Sequence, residues 1–178
     1  DLSREFLKVV EEAAIAAAKT MGIGDRKFSD HAAVEAMRAS METIPMNGTI
    51  VIGEGERDEA PMLFIGEKVG SKKPGSNLHE VDIAVDPLEG TTLTALGRGN
   101  AISVIAVSER GSMFNPGPCV YMEKIAVGPD AAGAIDVTRT PTENLVSVAK
   151  AKGESVRDVT AVILDRDRRS LGLLVAQV

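Results

Sequence analysis

A predicted strand that leads directly into a carboxylate-rich turn is the feature that most limits how this chain can fold. Residues 81–85, with the sequence VDIAV, alternate in the manner of a half-buried strand. Residues 86–92, with the sequence DPLEGTT, follow at once. Asp86 is therefore expected at the carboxyl end of the strand, where open α/β sheets bind their ligands. Pro87 has no amide proton for a sheet and is expected to turn the chain away.

The turn carries the groups that a metal–phosphate site needs. Asp86 and Glu89 can face one cation, and Gly90 lets a backbone N–H approach a bound oxyanion closely. Thr91 and Thr92 place hydroxyl groups at a predicted helix start, where free amides favour phosphate. The same residue types also suit a plain turn followed by an N-capped helix. The turn alone leaves both interpretations open.

A second acidic loop follows another predicted strand. Residues 53–59, GEGERDE, come directly after the buried run at 49–52 and hold four carboxylates in six positions. Like charges at this density are costly unless cations compensate them. A solvated surface loop is the alternative, but the preceding strand favours Glu54 at the same sheet edge as Asp86. Oxygen ligands without His or Cys favour Mg²⁺ or Mn²⁺.

Asp30 is the third acid of interest, at the start of a helix predicted near residues 29–41. An N-cap is the alternative interpretation for an Asp at that place.

Composition narrows the function classes. The net charge is −6 and no basic cluster alternates with aromatic residues, which disfavours nucleic-acid binding. The apolar content of 44% is ordinary for a globular protein. Cys119 is the single cysteine, so no intrachain disulfide can form. No apolar run has the length of a membrane span, and no secretory signal pattern is present, so we expect a cytoplasmic protein without membrane contact.

Periodicity and turn residues predict the remaining elements. Helices are predicted at 2–17, 29–41 and 144–152, with a short one after the 86–92 turn. Strands are predicted at 49–52, 81–85, 101–107, 122–127, 134–137 and 159–164, with a polar loop or hairpin over 66–80. The elements do not alternate as regular βαβ units, which favours a layered α/β or α+β sandwich.

Residues 48–62 and 85–91 together resemble the class II (GlpX-type) fructose-1,6-bisphosphatases, including the type that also accepts sedoheptulose 1,7-bisphosphate. The DPLEGT motif is shared by the wider lithium-sensitive, inositol-monophosphatase-like superfamily, whereas EGERDEAPM is specific to class II. The resemblance implies the sugar-phosphatase sandwich fold. It covers residues 1–168 as one metal-binding domain, followed by a divergent apolar tail at 169–178. Family members are roughly twice as long, so the chain looks like their N-terminal half.

The resemblance also implies a set of site residues. Asp30, Glu54, Asp86 and Glu89 would ligate or orient Mg²⁺ or Mn²⁺ in a two-metal phosphomonoesterase. Thr91 would position the attacking water, so that Asp30, Glu54 and Thr91 form the catalytic set.

On the substrate side, the resemblance implies contacts from Glu89, Gly90, Thr91 and Tyr121 and from the segment Arg166-Asp167-Arg168. The two arginines would hold the second phosphate of a sugar bisphosphate. Asp167 departs from the family, which usually has proline there, and a charged exit from a final strand is the alternative. A homo-oligomer, dimer or tetramer, is also implied.

The leading interpretation is therefore a phosphatase that hydrolyses the 1-phosphate of fructose 1,6-bisphosphate. The alternatives are a superfamily phosphomonoesterase acting on inositol phosphates or a nucleotide bisphosphate, and a non-catalytic fragment that binds metal or phosphate.

Overall fold

The structure, a computed structural model, describes residues 2–55, 62–71, 78–115 and 123–163. Its contacts divide the chain into two units, residues 1–115 and residues 116–178. The elements of the first unit are α1 (Leu2–Ala18), α2 (Arg26–Met41), β1 (Met46–Ile52), β2 (Lys68–Val69), β3 (His79–Glu89), α3 (Thr91–Ala95) and β4 (Ile102–Glu109). The predicted domain boundary at 168/169 lies outside the described residues and stays a prediction.

A four-stranded mixed sheet forms the centre of the first unit, in the order β2-β1-β3-β4. β1 and β3 are parallel, whereas β2 and β4 are antiparallel to their neighbours. Helices α1 and α2 pack against each other and against the sheet. The mixed α/β fold class predicted from the sequence is confirmed.

The core of this unit is aliphatic because the chain has few aromatic residues. The helices bury side chains mostly spaced three or four residues apart, and β1 buries every second residue. The fully or nearly fully buried members are Val9, Ala13, Ala33, Met37, Met41, Ile50 and Ile83. Methionine suits such a core because its flexible side chain fills irregular gaps.

β3 continues through Pro87 to Glu89, so the expectation that Pro87 turns the chain out of the strand was wrong. The pairing with β4 is irregular between Asp86 and Glu89, and a proline is tolerated at such a bulge. The hydroxyl of Ser103 donates to the Pro87 carbonyl oxygen at 2.7 Å. The parallel ladder with β1 ends earlier, at Ala84.

The first unit corrects two further expectations. α2 begins at Arg26 rather than near residue 29, and Asp25 is its N-cap, accepting a hydrogen bond from the Phe28 amide at 3.0 Å. Because residues 25–27 are polar, apolar periodicity does not detect this first turn. The predicted loop over 66–80 contains β2 and the first residues of β3.

The second unit contains α4 (Pro141–Lys152) and two short 3-10 turns, Pro129–Ala131 and Val156–Asp158. Thr140 and Glu143 form a capping box at the start of α4, and Gly153 ends it with φ of 68°. The helix predicted at 144–152 is confirmed, with a start three residues earlier.

The strands predicted in the second unit are wrong wherever they can be compared. Residues 123–127, 134–137 and 159–163 contain no strand, while Met122 and Leu164 lie outside the described residues. The Asn144 side chain accepts from the Asp136 amide at 2.8 Å and donates to the Asp136 carbonyl at 2.9 Å. These bonds satisfy the backbone amide and carbonyl of Asp136 without a strand partner.

Candidate active site

The ends of β1 and β3 bring two acids to one edge of the sheet. The parallel ladder ends with the pair Ile52 and Ala84. Glu54 lies two residues beyond Ile52, and Asp86 lies two residues beyond Ala84. Both residues therefore lie just beyond the same end of the β1–β3 ladder, where the sequence predicts them. Neighbouring parallel strands make this convergence a consequence of the ladder itself.

Helix α2 adds a third acid to this edge. Asp30 lies in the second turn of α2 and is half-buried. Its charge acts on both Glu54 and Asp86. Burial raises the pKa of Asp30, while the neighbouring His31 opposes this shift. Because Asp25 caps the helix, the N-cap interpretation of Asp30 is wrong.

We call Asp30, Glu54, Asp86 and Glu89 the acid cluster. Burial raises the pKa of Glu54 to about 7, reinforced by the charges of Asp30 and Asp86. Burial also raises the pKa of Asp86 to about 6, together with a hydrogen bond to the Glu89 carboxyl and the charge of Glu89, while a hydrogen bond from the Leu88 amide opposes the rise. Glu54 and Asp86 thus keep their protons to a higher pH than isolated carboxyls do.

No Lys or Arg of the described ranges forms an ion pair with Asp30, Glu54 or Asp86. The donors of the acid cluster are all carboxylate oxygens, which fit a hard cation such as Mg²⁺ or Mn²⁺ in chemistry. Among the described residues, however, no three acidic, His or Cys side chains are grouped closely enough to form a ready-made cation site.

Close backbone packing fixes the loop that carries Glu54. A Cβ at Gly53 would collide with the Leu63 carbonyl oxygen, so only glycine fits there. The Glu54 amide donates to that same carbonyl oxygen at 3.0 Å, and the Ile65 amide donates to the Gly55 carbonyl at 2.9 Å. The start of the Glu54 loop is therefore bound along the segment that follows residues 56–61.

Gly90 and Thr91 lie at the turn from β3 into α3. Gly90 has φ of +105°, a conformation that favours glycine. The predicted helix start at Thr91 is confirmed, but α3 has only five residues and carries little dipole. The amides of Gly22 and Gly24 donate to the last carbonyls of α3, at 3.0 and 2.8 Å, which ties α3 to the loop before α2.

The remaining predicted site residues, Tyr121, Arg166, Asp167 and Arg168, lie outside the described residues. Their proposed roles stay predictions.

Two ion pairs near the sheet edges were not predicted. Arg38 pairs with Glu67 at 2.7 Å, and Arg110 pairs with Asp82 at 3.0 Å. Both carboxylates are buried. The partners are far apart in sequence and no local spacing marks them, so only the fold reveals them.

The described helices include none with the length and hydropathy to span a membrane.

Comparison with known proteins places these features in a family. The family model described as bacterial fructose-1,6-bisphosphatase, glpX-encoded, matches residues 1–176. A D-fructose 1,6-bisphosphatase class 2/sedoheptulose 1,7-bisphosphatase from Prochlorococcus marinus (strain NATL1A) is 52% identical over 168 residues, covering 94% of this chain and 48% of that protein. A protein of the same name from Synechococcus sp. (strain JA-2-3B'a(2-13)) is 47% identical over 175 residues, covering 94% and 50%. The chain thus spans about half the length of the curated relatives it matches.

Proposed function

The chain belongs to the glpX-encoded bacterial fructose-1,6-bisphosphatase family, and from this membership we propose that it forms part of a metal-dependent sugar-bisphosphate phosphatase. The reaction is the hydrolysis of the 1-phosphate of fructose 1,6-bisphosphate to fructose 6-phosphate and phosphate. The single observation that carries the proposal is that Asp30, Glu54 and Asp86 lie at one end of the β1–β3 ladder, where burial, reinforced by the charges of Asp30 and Asp86, raises the pKa of Glu54.

We propose that the acid cluster binds Mg²⁺ or Mn²⁺. A cation would replace the protons that Glu54 and Asp86 otherwise retain, because it supplies an opposite charge that no described Lys or Arg supplies to Asp30, Glu54 or Asp86. A bound ion in such a site neutralises phosphate oxygens and acidifies water.

In this proposal the chain's own residues orient the attacking water, accept its proton and bind the substrate. Asp30, together with the Thr91 hydroxyl, orients the attacking water and accepts its proton. Water attacks the phosphorus of the 1-phosphate, the bond between phosphorus and the sugar oxygen breaks, and that oxygen takes a proton. Tyr121 and Gly90 contact the sugar bisphosphate, and Arg166 and Arg168 hold the second phosphate.

A metal-binding fragment without catalysis is the second candidate. The observation that favours it is that the chain covers only 48–50% of its curated relatives. Substrate choice is proposed from the names of those relatives, which include both fructose 1,6-bisphosphate and sedoheptulose 1,7-bisphosphate as substrates of those proteins.

Phosphate release from fructose 1,6-bisphosphate, measured with and without Mn²⁺, tests the proposal. We expect metal-dependent release that Asp86→Asn lowers by roughly 10²–10³-fold, the range for removing a charge-stabilising group from an active site. Glu80→Gln is the matched control, because Glu80 is exposed at the other end of β3, and should change the rate by about twofold or less.

Three results separate the candidates. Release that requires Mn²⁺ and Asp86 supports the phosphatase. Mn²⁺ binding without release from any sugar bisphosphate supports the non-catalytic fragment. Absence of both Mn²⁺ binding and release contradicts the proposed function.

A further inference from the structure

A buried ion pair links α2 to the segment that returns from the Glu54 loop. Arg38 on α2 donates through Nε to Glu67 Oε1 at 2.7 Å. The Glu67 side chain is 8% exposed, and its second oxygen has no hydrogen-bond partner among the described groups. A carboxylate buried in this way depends on Arg38, because no other described group offsets its loss of hydration.

We call residues 62–67 the return segment. Its backbone is bonded to β1 and to the Glu54 loop at successive points. Two bonds join it to β1: the Ile50 amide donates to the Glu67 carbonyl at 2.9 Å, and the Gly66 amide donates to the Ile50 carbonyl at 2.7 Å. Two more join it to the Glu54 loop: the Ile65 amide donates to the Gly55 carbonyl at 2.9 Å, and the Glu54 amide donates to the Leu63 carbonyl at 3.0 Å. Contacts that fix Glu67 therefore also restrain Glu54, through the hydrogen bonds of the return segment.

Leu63 shows how firmly the return segment is held. This residue is fully buried and has φ of 55°, in the left-handed region that side chains with a Cβ rarely adopt. Such a conformation persists only where the surrounding contacts impose it. The segment therefore has a conformation dictated by its anchors, and the Arg38–Glu67 pair is one of them.

Helix α2 connects the two ends of this arrangement. Asp30 lies eight residues before Arg38 on α2, about 12 Å along a helix axis. One rigid helix thus carries one acid directly and anchors the segment that holds a second. We propose that Arg38 and Glu67 are positioning residues that fix Glu54 relative to Asp30 for cation binding. The cation-binding part of this inference rests on the proposed function.

A merely structural ion pair would raise stability without any specific effect on Glu54. The sheet offers a matched control in Asp82 and Arg110, whose side chains are 6% and 31% exposed, against 8% and 34% for Glu67 and Arg38. This second pair lies on the β3–β4 side of the sheet, where the Arg110 guanidinium also donates to the Asn47 carbonyl at 2.7 Å, whereas Glu67 precedes β2 on the other side of β1.

The test compares Arg38→Met and Glu67→Gln with Arg110→Met and Asp82→Asn in the complete 178-residue chain. Glu67→Gln and Asp82→Asn leave only a partly exposed arginine behind, so they remain informative if the methionine variants do not fold. The first readout is hydrogen exchange of the Glu54 and Ile65 amides without metal. The second is Mn²⁺ affinity by calorimetry.

We expect Glu54 and Ile65 to exchange about tenfold faster or more in the Arg38 and Glu67 variants, because their anchor is lost. Mn²⁺ affinity should fall by about tenfold or more, as for supporting residues of metal sites. In the Arg110 and Asp82 variants the Mn²⁺ affinity should stay within about twofold, and Glu54 and Ile65 should exchange faster only by as much as the lower global stability accounts for.

Equal exchange at Glu54 in wild type and Glu67→Gln would overturn the inference, as would equal acceleration by Asp82→Asn. Unchanged Mn²⁺ affinity in both Arg38→Met and Glu67→Gln, where wild type binds, would also overturn it. If wild type does not bind Mn²⁺, the proposed function fails, and the exchange rates still decide whether Arg38 positions Glu54.

Discussion

The acidic residues toward the two ends of β3 have opposite electrostatic surroundings. Asp82 and Asp86 lie four residues apart on the same strand, so both side chains point to one face of the sheet. Asp82 is 4% exposed and is bound by Arg110 at 3.0 Å and by the Gly111 amide at 2.7 Å. Asp86 instead meets the carboxyl of Glu89 and the charge of Asp30.

The difference separates an acid that stabilises the fold from acids suited to a ligand. At the Asp82 end, the opposite charge and the hydrogen-bond donor come from the chain itself. At the Asp86 end, the described residues add further negative charge, and burial together with this charge raises the pKa of Asp86 and of Glu54. A site that keeps unbalanced carboxylates at some cost to stability is what a cation-binding function requires.

Removing Arg110, the cationic partner of Asp82, should have the largest effect on the free energy of unfolding. Arg110→Met leaves the Asp82 carboxylate buried with only the Gly111 amide, and we expect a loss of about 3 kcal/mol in the free energy of unfolding. Urea denaturation measures it. A loss of less than about 1 kcal/mol would mean that the Asp82–Arg110 pair is no more valuable than a surface ion pair, and the contrast between the two ends would weaken.

Adding a cation that binds at the Asp86 end of β3 should have the next largest effect on the free energy of unfolding. Mn²⁺ at a hundred times its dissociation constant should raise the free energy of unfolding by about 2.7 kcal/mol, since it binds the folded state alone. Thermal unfolding at matched ionic strength checks this, with the gain for Asp86→Asn expected to be smaller by about 1.3 kcal/mol or more. Equal stabilisation of wild type and Asp86→Asn would place the cation elsewhere.

Neutralising one acid of the cluster should have the smallest effect, with a sign opposite to that of Arg110→Met. The folded pKa of Glu54, about 7, lies above its ordinary value of 4.5. The unfolded chain therefore loses this proton first, and the metal-free fold loses stability between pH 4.5 and 7 and changes little above that. Glu54→Gln should remove this loss and stabilise the metal-free protein at pH 8 by about 1 kcal/mol, because partial exposure screens the charge.

Urea denaturation at pH 4.5 and pH 8 checks the Glu54 prediction. The variant and wild type should differ at pH 8 and converge at pH 4.5. A variant that is less stable than wild type at pH 8 would show that Glu54 is already compensated in the metal-free protein.

Several parts of this contrast were predictable from the sequence. Alternation at 81–85 and 101–107 predicted β3 and β4, because strands that bury one face must alternate. The shared location of Glu54 and Asp86 followed from two predicted strands that each lead directly into acidic residues. The class of fold followed from the mixture of elements.

Other parts depend on contacts between distant segments. Pro87 stays in β3 because β4 accommodates a bulge and Ser103 holds the Pro87 carbonyl. The strands predicted at 122–127 and 134–137 have the apolar run of a strand, but an apolar run becomes a strand only where a partner pairs with it. The Arg38–Glu67 pair joins residues 29 positions apart, beyond the range of any local pattern.

Calorimetric titration of the 178-residue chain with Mn²⁺ tests most directly the claim that the uncompensated acids form a cation site. The account predicts saturable binding by wild type and by Glu80→Gln, and a loss of roughly 10-fold or more in affinity for Asp86→Asn. Mn²⁺ that does not bind to wild type, or that binds Asp86→Asn as tightly as wild type, would contradict it.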